Sequence, residues 1–178
     1  MGNRGKVKME WDGHGTLLMG AIHITGGAGS LCNLCLSHPD ADVTTPVLAL
    51  EVPAADGDWE LVNCDLVIAQ GRKGVSVGEC SALSLQGCHI SGCGTGAGKS
   101  PAADVASGLA RCAIQAFDTC KIALHDCSLR NCRQAICLFD DAHVHTTHSR
   151  FDLPPGARPF LPFLRTPAVQ PARCSCAV

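Results

Sequence analysis

Three histidines, His143, His145 and His148, form the densest group of potential metal ligands in the chain. Imidazole nitrogens bind zinc and other transition metals. In a β-strand, His143 and His145 would share one face, with their Cα atoms roughly 6–7 Å apart, which is close enough to chelate one ion. Two imidazoles without a third close ligand bind metal weakly. We therefore expect a solvated polar face and no resident metal, with a His143–His145 site as the alternative.

The segment Cys93–Ser100, CGTGAGKS, resembles a phosphate-binding loop. Such a loop needs Gly, four residues and then Gly-Lys-Ser, because its backbone amides must wrap around the phosphates. Cys93 occupies the first Gly position, and Pro101 follows where a long helix should begin. We interpret the segment as part of an insertion and expect no nucleotide or other cofactor.

Two closely spaced cysteine pairs, Cys32-x-x-Cys35 and Cys174-x-Cys176, are reminiscent of zinc knuckles. Residues three apart in a strand point to opposite faces, so Cys32 and Cys35 cannot chelate one ion without distortion. The 13 cysteines are an odd number, so at least one stays unpaired within the chain. The first residues lack the apolar core of a signal peptide. Free thiols in a reducing, cytoplasmic compartment are expected, and a disulfide framework is the alternative.

Charge and hydropathy exclude two classes of partner. The chain of 178 residues has a net charge of −2 and is 46% hydrophobic, which does not suit neutralisation of nucleic-acid phosphates. No apolar run approaches the roughly 18 residues of a membrane span. We therefore expect no nucleic-acid and no membrane partner.

Residues 112–151 contain an internal repeat, which would position all of these groups. A shift of 22 residues aligns Ile114 with Ile136 and Ile122 with Val144. At the other alternating positions it aligns apolar or small residues with one another. Each segment alternates with period two, as strands do. A fixed period in the low twenties built from strands is typical of a solenoid, whereas hairpin turns such as Asn-Gly are scarce. We predict an all-β chain folded as a short parallel β-helix.

A Cys-x-[Leu/Ile] motif recurs along the chain, beginning at Cys32, Cys64, Cys88 and Cys127. Side chains of successive coils lie over one another in such a fold, so these four thiols should form an internal ladder. A thiol is small and apolar enough to bury.

Three regions follow from these patterns: an N-terminal segment or cap at 1–16, the β-helix at 17–151 with an insertion at 92–108, and a tail or cap at 152–178. The stretch 17–24 is expected to be one strand ended by a turn. Prolines crowd the tail. We expect them to preclude a regular strand ladder there, leaving an irregular segment that covers the last coil or docks on a partner.

The Cys-x-[Leu/Ile] strands, the 22-residue coil and the segment DWELVNCDL at 58–66 resemble the right-handed parallel β-helix, or pectin-lyase-like, superfamily over residues 17–151. The Cys-rich repeats are most similar to those of intracellular β-helix F-box proteins and SHC-binding spindle proteins. The superfamily includes lyases, hydrolases and scaffolds, so the resemblance concerns the fold and leaves function open. No helical segment like an F-box is present.

The resemblance implies where catalysis would occur if the chain were an enzyme. Lyases of this kind hold Ca²⁺ with clustered carboxylates and use an Arg or Lys base, and the related hydrolases pair two Asp residues. The candidates here are Asp126, Arg130, Arg133, Asp140 and Asp141. No stacked row of carboxylates on one outward face is evident, so we assign no catalytic residue.

The functional hypothesis is a non-catalytic structural scaffold. Other proteins would cover the ends of the β-helix or the tail, inside a larger intracellular assembly such as a ciliary or cytoskeletal one. One alternative is a polysaccharide lyase or glycoside hydrolase of the pectin-lyase-like type. Another is a substrate-recognition β-helix in a ubiquitin-ligase or signalling protein.

Overall fold

The chain folds as a β-solenoid with three parallel sheets. A computed structural model describes residues 7–10, 17–37, 46–53, 57–68, 73–79, 81–92, 112–132 and 134–163. These residues form strands and turns, and none of them lies in a helix. The predicted all-β class and stacked parallel sheets are confirmed.

Strands numbered in chain order visit the three sheets in strict rotation. Sheet A contains β1 (Val7–Glu10), β4 (Gly29–Cys32), β7 (Trp59–Val62), β10 (Ala82–Gln86), β13 (Lys121–His125) and β16 (His143–Thr147). Sheet B contains β2 (Leu17–Met19), β5 (Cys35–Ser37), β8 (Asp65–Val67), β11 (His89–Ser91), β14 (Ser128–Arg130) and β17 (Arg150–Asp152). Sheet C contains β3 (Ile22–Ile24), β6 (Leu48–Glu51), β9 (Val75–Gly78), β12 (Cys112–Ala116), β15 (Gln134–Phe139) and β18 (Arg158–Phe163).

The 22-residue repeat sets the register of the last coils. Ile114 pairs with Ile136, Ile122 with Val144, and Leu129 with Phe151. The pairing confirms the predicted superposition. The alternation of side chains along a strand then decides which of them point into the solenoid. In β13 the inward Ile122 and Leu124 are buried while their neighbours are exposed, because successive side chains leave a strand on opposite faces.

The interior is one continuous column of aliphatic and thiol side chains. Leu61, Leu85, Ile114, Leu129 and Ile136 are fully enclosed in it, and they come from all three sheets. A parallel sheet closed on itself around such a column keeps apolar surface away from water without needing a second layer.

The turns from sheet A to sheet B, here called the A–B corners, share an unusual backbone conformation. One residue per corner has a positive φ: Asn33, Asn63, Gly87, Asp126 and His148, with φ between 51° and 62°. Each of the first four donates its N–H to a carbonyl of the next coil, at 2.8–3.1 Å. A Cβ on Gly87 would lie 2.6 Å from Asn63 Oδ1, so a larger residue at this corner would displace the Asn63 side chain.

The segment 17–24 is two strands and not the single strand predicted. Strand β2 ends at Met19 and β3 begins at Ile22. The chain turns from sheet B to sheet C at Gly20, whose φ of 143° is readily adopted only by glycine.

The predicted thiol ladder is right for three cysteines and wrong for Cys32. Strand β5 pairs with β8 so that Leu36 lies beside Leu66, which places Leu34 and not Cys32 in register with Cys64. Cys32 instead pairs with Val62 in sheet A. Sequence spacing alone could not reveal this two-residue offset, because Cys32-x-Leu34 and Cys64-x-Leu66 have the same local pattern.

The strand pairing of sheet C also continues into the tail, where we expected the prolines to prevent it. Strand β18, Arg158–Phe163, pairs in parallel with β15 despite Pro159 and Pro162. As the last described strand of sheet C, β18 needs hydrogen bonds on one side only, and proline is tolerated in such edge strands. Strand β1 likewise adds to sheet A within the segment 1–16.

The predicted insertion at 92–108 lies outside the described residues except for Gly92. Its phosphate-loop-like segment, and Cys174 and Cys176 in the tail, also fall outside them. Within the described part of the chain, no helix is long and apolar enough to cross a membrane.

The fold predicts opposite outcomes for two adjacent residues of β8. Leu66 is fully buried and Val67 is 46% exposed. Leu66→Ala should lower the free energy of unfolding by about 2–5 kcal/mol, through lost burial and the cavity left behind. Val67→Ala should change it by less than about 0.5 kcal/mol. Urea unfolding measures both, and equal losses would contradict the assigned facing of β8.

Candidate functional site

A shallow groove runs across the outer face of sheet A, on β10, β13 and β16. Its volume is about 420 Å³. The small side chains of Ala82, Ser84 and Ala123 make room for it, and His143 and His145 lie along one side. The two histidines are exposed, as predicted, and pair in register with Lys121 and Ala123.

A different set of side chains comes together at the A–B corner of the last two coils. His125 Nε2 lies 3.0 Å from Asp126 Oδ2, and His148 Nδ1 lies 3.9 Å from Asp126 Oδ1. The two imidazole rings meet edge to face, with centroids 5.6 Å apart. We call His125, Asp126 and His148 the corner cluster. Among the described residues, this cluster brings one potential metal-ligand atom from each of three His or Asp side chains within 4.8 Å of the other two.

The backbone explains why these three residues meet. Strand β13 ends at His125, and Asp126 and His148 occupy the same left-handed position in consecutive corners. Asp126 N donates to Thr147 O at 3.1 Å, which fixes one corner on the next. Stacked coils are separated by about 4.8 Å, so equivalent side chains of neighbouring corners are necessarily in reach of each other.

The candidate catalytic residues do not converge. Asp126 is at an A–B corner, Arg130 ends β14 at a corner between sheets B and C, and Asp140 and Asp141 form the turn from sheet C to sheet A. Arg130 Nε lies 2.8 Å from Ser128 Oγ and 3.5 Å from Asp152 Oδ2. Arg133 lies outside the described residues.

Three buried thiols, Cys64, Cys88 and Cys127, stack directly after the A–B corners. Each lies within 3.3–3.5 Å of the carbonyl oxygen two residues before it, to which it can donate. Cys88 Sγ also accepts from Cys64 N at 3.5 Å. In the last coil Ser149 takes the equivalent position, accepting from Cys127 N at 3.1 Å and donating to Thr147 O. A hydroxyl and a thiol thus satisfy the same backbone groups.

Hydrogen bonds along the ladder separate the pKa values of its three thiols. Hydrogen bonds with Cys127 and Cys64, together with burial, raise the pKa of Cys88 well above the usual range. The hydrogen bond with Cys88 lowers the pKa of Cys64 and that of Cys127 to about 7. Outside the ladder, burial and the neighbouring Cys137 raise the pKa of Cys112. The nine described cysteines are thiols, of which eight are buried and Cys35 is half-buried.

Exposed apolar side chains gather where sheet B begins. Leu17 and Met19 on β2 are 50% and 65% exposed, and Val67 on β8 is also exposed. Met19 pairs with Ser37, which pairs with Val67, so the three side chains share one outer face. These are the exposed large hydrophobic residues of the described chain.

Comparison of the chain with protein-family models, with curated proteins and with solved structures found no match.

Sequence reasoning identified His148 and Asp126 separately and missed the corner cluster. The 22-residue shift also lays His125 on Thr147, and in the structure His125 Nδ1 lies 2.7 Å from Thr147 Oγ1. One further step along the repeat aligns Asp126 with His148. That alignment was the sequence signal from which the corner cluster could have been predicted.

The buried thiol of Cys112, which lies outside the ladder, predicts a loss of stability in alkali. Unfolded thiols ionise as the pH rises through about 9, whereas burial raises the pKa of Cys112 and keeps it protonated in the folded chain. The unfolded state then binds fewer protons, so the free energy of unfolding falls with rising pH, by about 1.4 kcal/mol per pH unit for each such thiol. The chain has no Tyr to mask this effect.

Urea unfolding at about pH 8 and about pH 10 tests this prediction, with Cys112→Ser as the matched variant. Serine is close to cysteine in size and can donate a hydrogen bond, but it does not ionise in this range. The wild type should lose about 1.4 kcal/mol more than the variant between the two pH values. Equal losses would contradict a protonated Cys112.

Proposed function

We propose that the protein is a non-catalytic scaffold that binds a strand of another protein at the first coil of its β-solenoid. The observation that carries this proposal is the exposed apolar face formed by Leu17, Met19 and Val67 at the start of sheet B. Large apolar side chains gathered on one surface are typical of protein-binding sites.

The adjoining strand edge supports a strand as the occupant. Strand β2 is the last strand of sheet B on this side, and among the described strands it pairs with β5 alone. Its outer edge presents backbone N–H and C=O groups that can extend the sheet. A partner strand added there would place alternate side chains beside Leu17 and Met19. Main-chain hydrogen bonds would supply affinity and the apolar contacts specificity.

The separation of the candidate catalytic groups also supports a scaffold. Asp126, Arg130 and Asp140 lie at three different kinds of corner, whereas glycoside hydrolysis needs two carboxyl groups flanking one bond. The narrower proposal is a right-handed β-helix of the pectin-lyase-like kind, acting in the cytoplasm within a ciliary or cytoskeletal assembly. The Cys-rich parallel coils support this assignment.

Replacement of the apolar face should weaken partner binding selectively. For Leu17→Ser/Met19→Ser/Val67→Ser we expect the affinity for a partner protein to fall by more than about tenfold, since truncation of central apolar contacts has the largest effects on binding. Asp65→Ser/His89→Ser, on the same outer face of sheet B, should retain the affinity. The partner is recovered by affinity capture with the wild type and its dissociation constant is measured for each variant.

Two results would overturn the proposal. One is a purified chain that remains a monodisperse monomer, binds no apolar dye and retains no protein. The other is turnover of an acidic polysaccharide that is lost in Asp126→Asn. Sedimentation distinguishes a second copy of the chain from a different partner. If the chain self-associates through the same face, the occupant of that face is a second copy and not another protein.

A further inference from the structure

The corner cluster has the composition and spacing of a transition-metal site. It contains two imidazoles and one carboxylate, and one ligand atom from each lies within 4.8 Å of the other two. First-row metals bind such atoms at about 2.0–2.2 Å, which sets neighbouring ligands roughly 3.0–3.4 Å apart. The 3.0 Å between His125 Nε2 and Asp126 Oδ2 is in that range. The 3.9 Å to His148 can shorten, because that side chain is 77% exposed and has room to rotate.

A second observation concerns the other nitrogen of His125. His125 Nδ1 lies 2.7 Å from Thr147 Oγ1, and Thr147 Oγ1 lies 3.4 Å from Leu124 O. When the hydroxyl donates to that carbonyl, it accepts from Nδ1–H, and Nε2 then directs its lone pair at Asp126. Metal-binding histidines usually have their second nitrogen held by an acceptor in this way.

This tautomer leaves two acceptors, Nε2 and Oδ2, facing each other at 3.0 Å. A cation between them removes the repulsion. Without one, the other tautomer applies, in which Nε2–H donates to Asp126 and Thr147 donates to Nδ1. The side chains of His125, Asp126 and Thr147 therefore support both a metal-free and a metal-bound arrangement with no change in the backbone.

We propose that His125, Asp126 and His148 bind a divalent transition metal, with Zn²⁺ as the representative ion. The ligands would be His125 Nε2, an oxygen of Asp126 and His148 Nδ1, with water completing the coordination. Two imidazoles favour zinc, copper or nickel over Ca²⁺ and Mg²⁺, which prefer oxygen ligands. The ion would join consecutive coils, since His125 and Asp126 precede β14 and His148 precedes β17.

The pair His143 and His145, which the sequence offered as an alternative metal site, supplies the control. Both lie on β16 with exposed side chains and outside the corner cluster. Asp126→Asn is the matched test variant, because Asn33 and Asn63 occupy the equivalent left-handed position in earlier corners. The substitution removes the carboxylate while keeping a residue that the corner accommodates.

The experiment adds Zn²⁺ to the reduced full-length chain, follows the imidazole signals by NMR and measures affinity by calorimetry. We expect the ring signals of His125 and His148 to shift and those of His143 and His145 to stay. Asp126→Asn and His125→Ala should each weaken zinc binding at this site by at least about tenfold, as loss of even indirect ligand support does. His143→Ala/His145→Ala should bind as the wild type does.

The proposal fails if Zn²⁺ leaves the His125 and His148 signals unmoved, if Ca²⁺ shifts them equally, or if Asp126→Asn retains wild-type affinity. The NMR measurement on the wild type does not depend on whether any variant folds. Zinc bound by thiols elsewhere would leave these ring signals in place and would also count against the site. None of these outcomes bears on strand binding at the first coil.

Discussion

The register between successive coils is the constraint on which this structure depends. Each strand pairs in parallel with the strand of the same sheet in the neighbouring coils, so every side chain is stacked on an equivalent one. A shift of one residue would exchange the inner and outer faces of a strand and bury its polar side chains. The A–B corners help to prevent such a shift. Asn63, Gly87 and Asp126 hold the same left-handed backbone and each donates its N–H to the next coil.

Stacking at this spacing also explains the unusual use of cysteine. The position after the Asn63, Gly87 and Asp126 corners is buried and adjoins a carbonyl two residues earlier, so a small side chain that can donate a hydrogen bond fits there. Cys64, Cys88 and Cys127 meet both demands, and Ser149 meets them at the less enclosed end of the column. The thiols are thus explained by packing and hydrogen bonding alone.

The inward side chains of the described coils are buried against one another, so we look for binding on the outside of the solenoid. Two places among the described residues carry the proposals made above. One is the apolar start of sheet B around Met19, beside an open strand edge. The other is the corner cluster, where a carboxylate lies between two imidazoles of adjacent coils. Both arise from stacking, because each combines side chains that are far apart along the chain.

The sequence by itself determined the solenoid, the parallel pairing and the inward residues of the last coils, because the 22-residue repeat and its alternation are local patterns. It could not fix where the chain turns corners, so the stretch 17–24 was taken for one strand and Cys32 was placed in the wrong column. It also took prolines as evidence against β18, although an edge strand tolerates them. Only the tertiary structure brought His125 and Asp126 onto His148. The distance between their side-chain atoms depends on rotamers and corner geometry, which no spacing along the chain specifies.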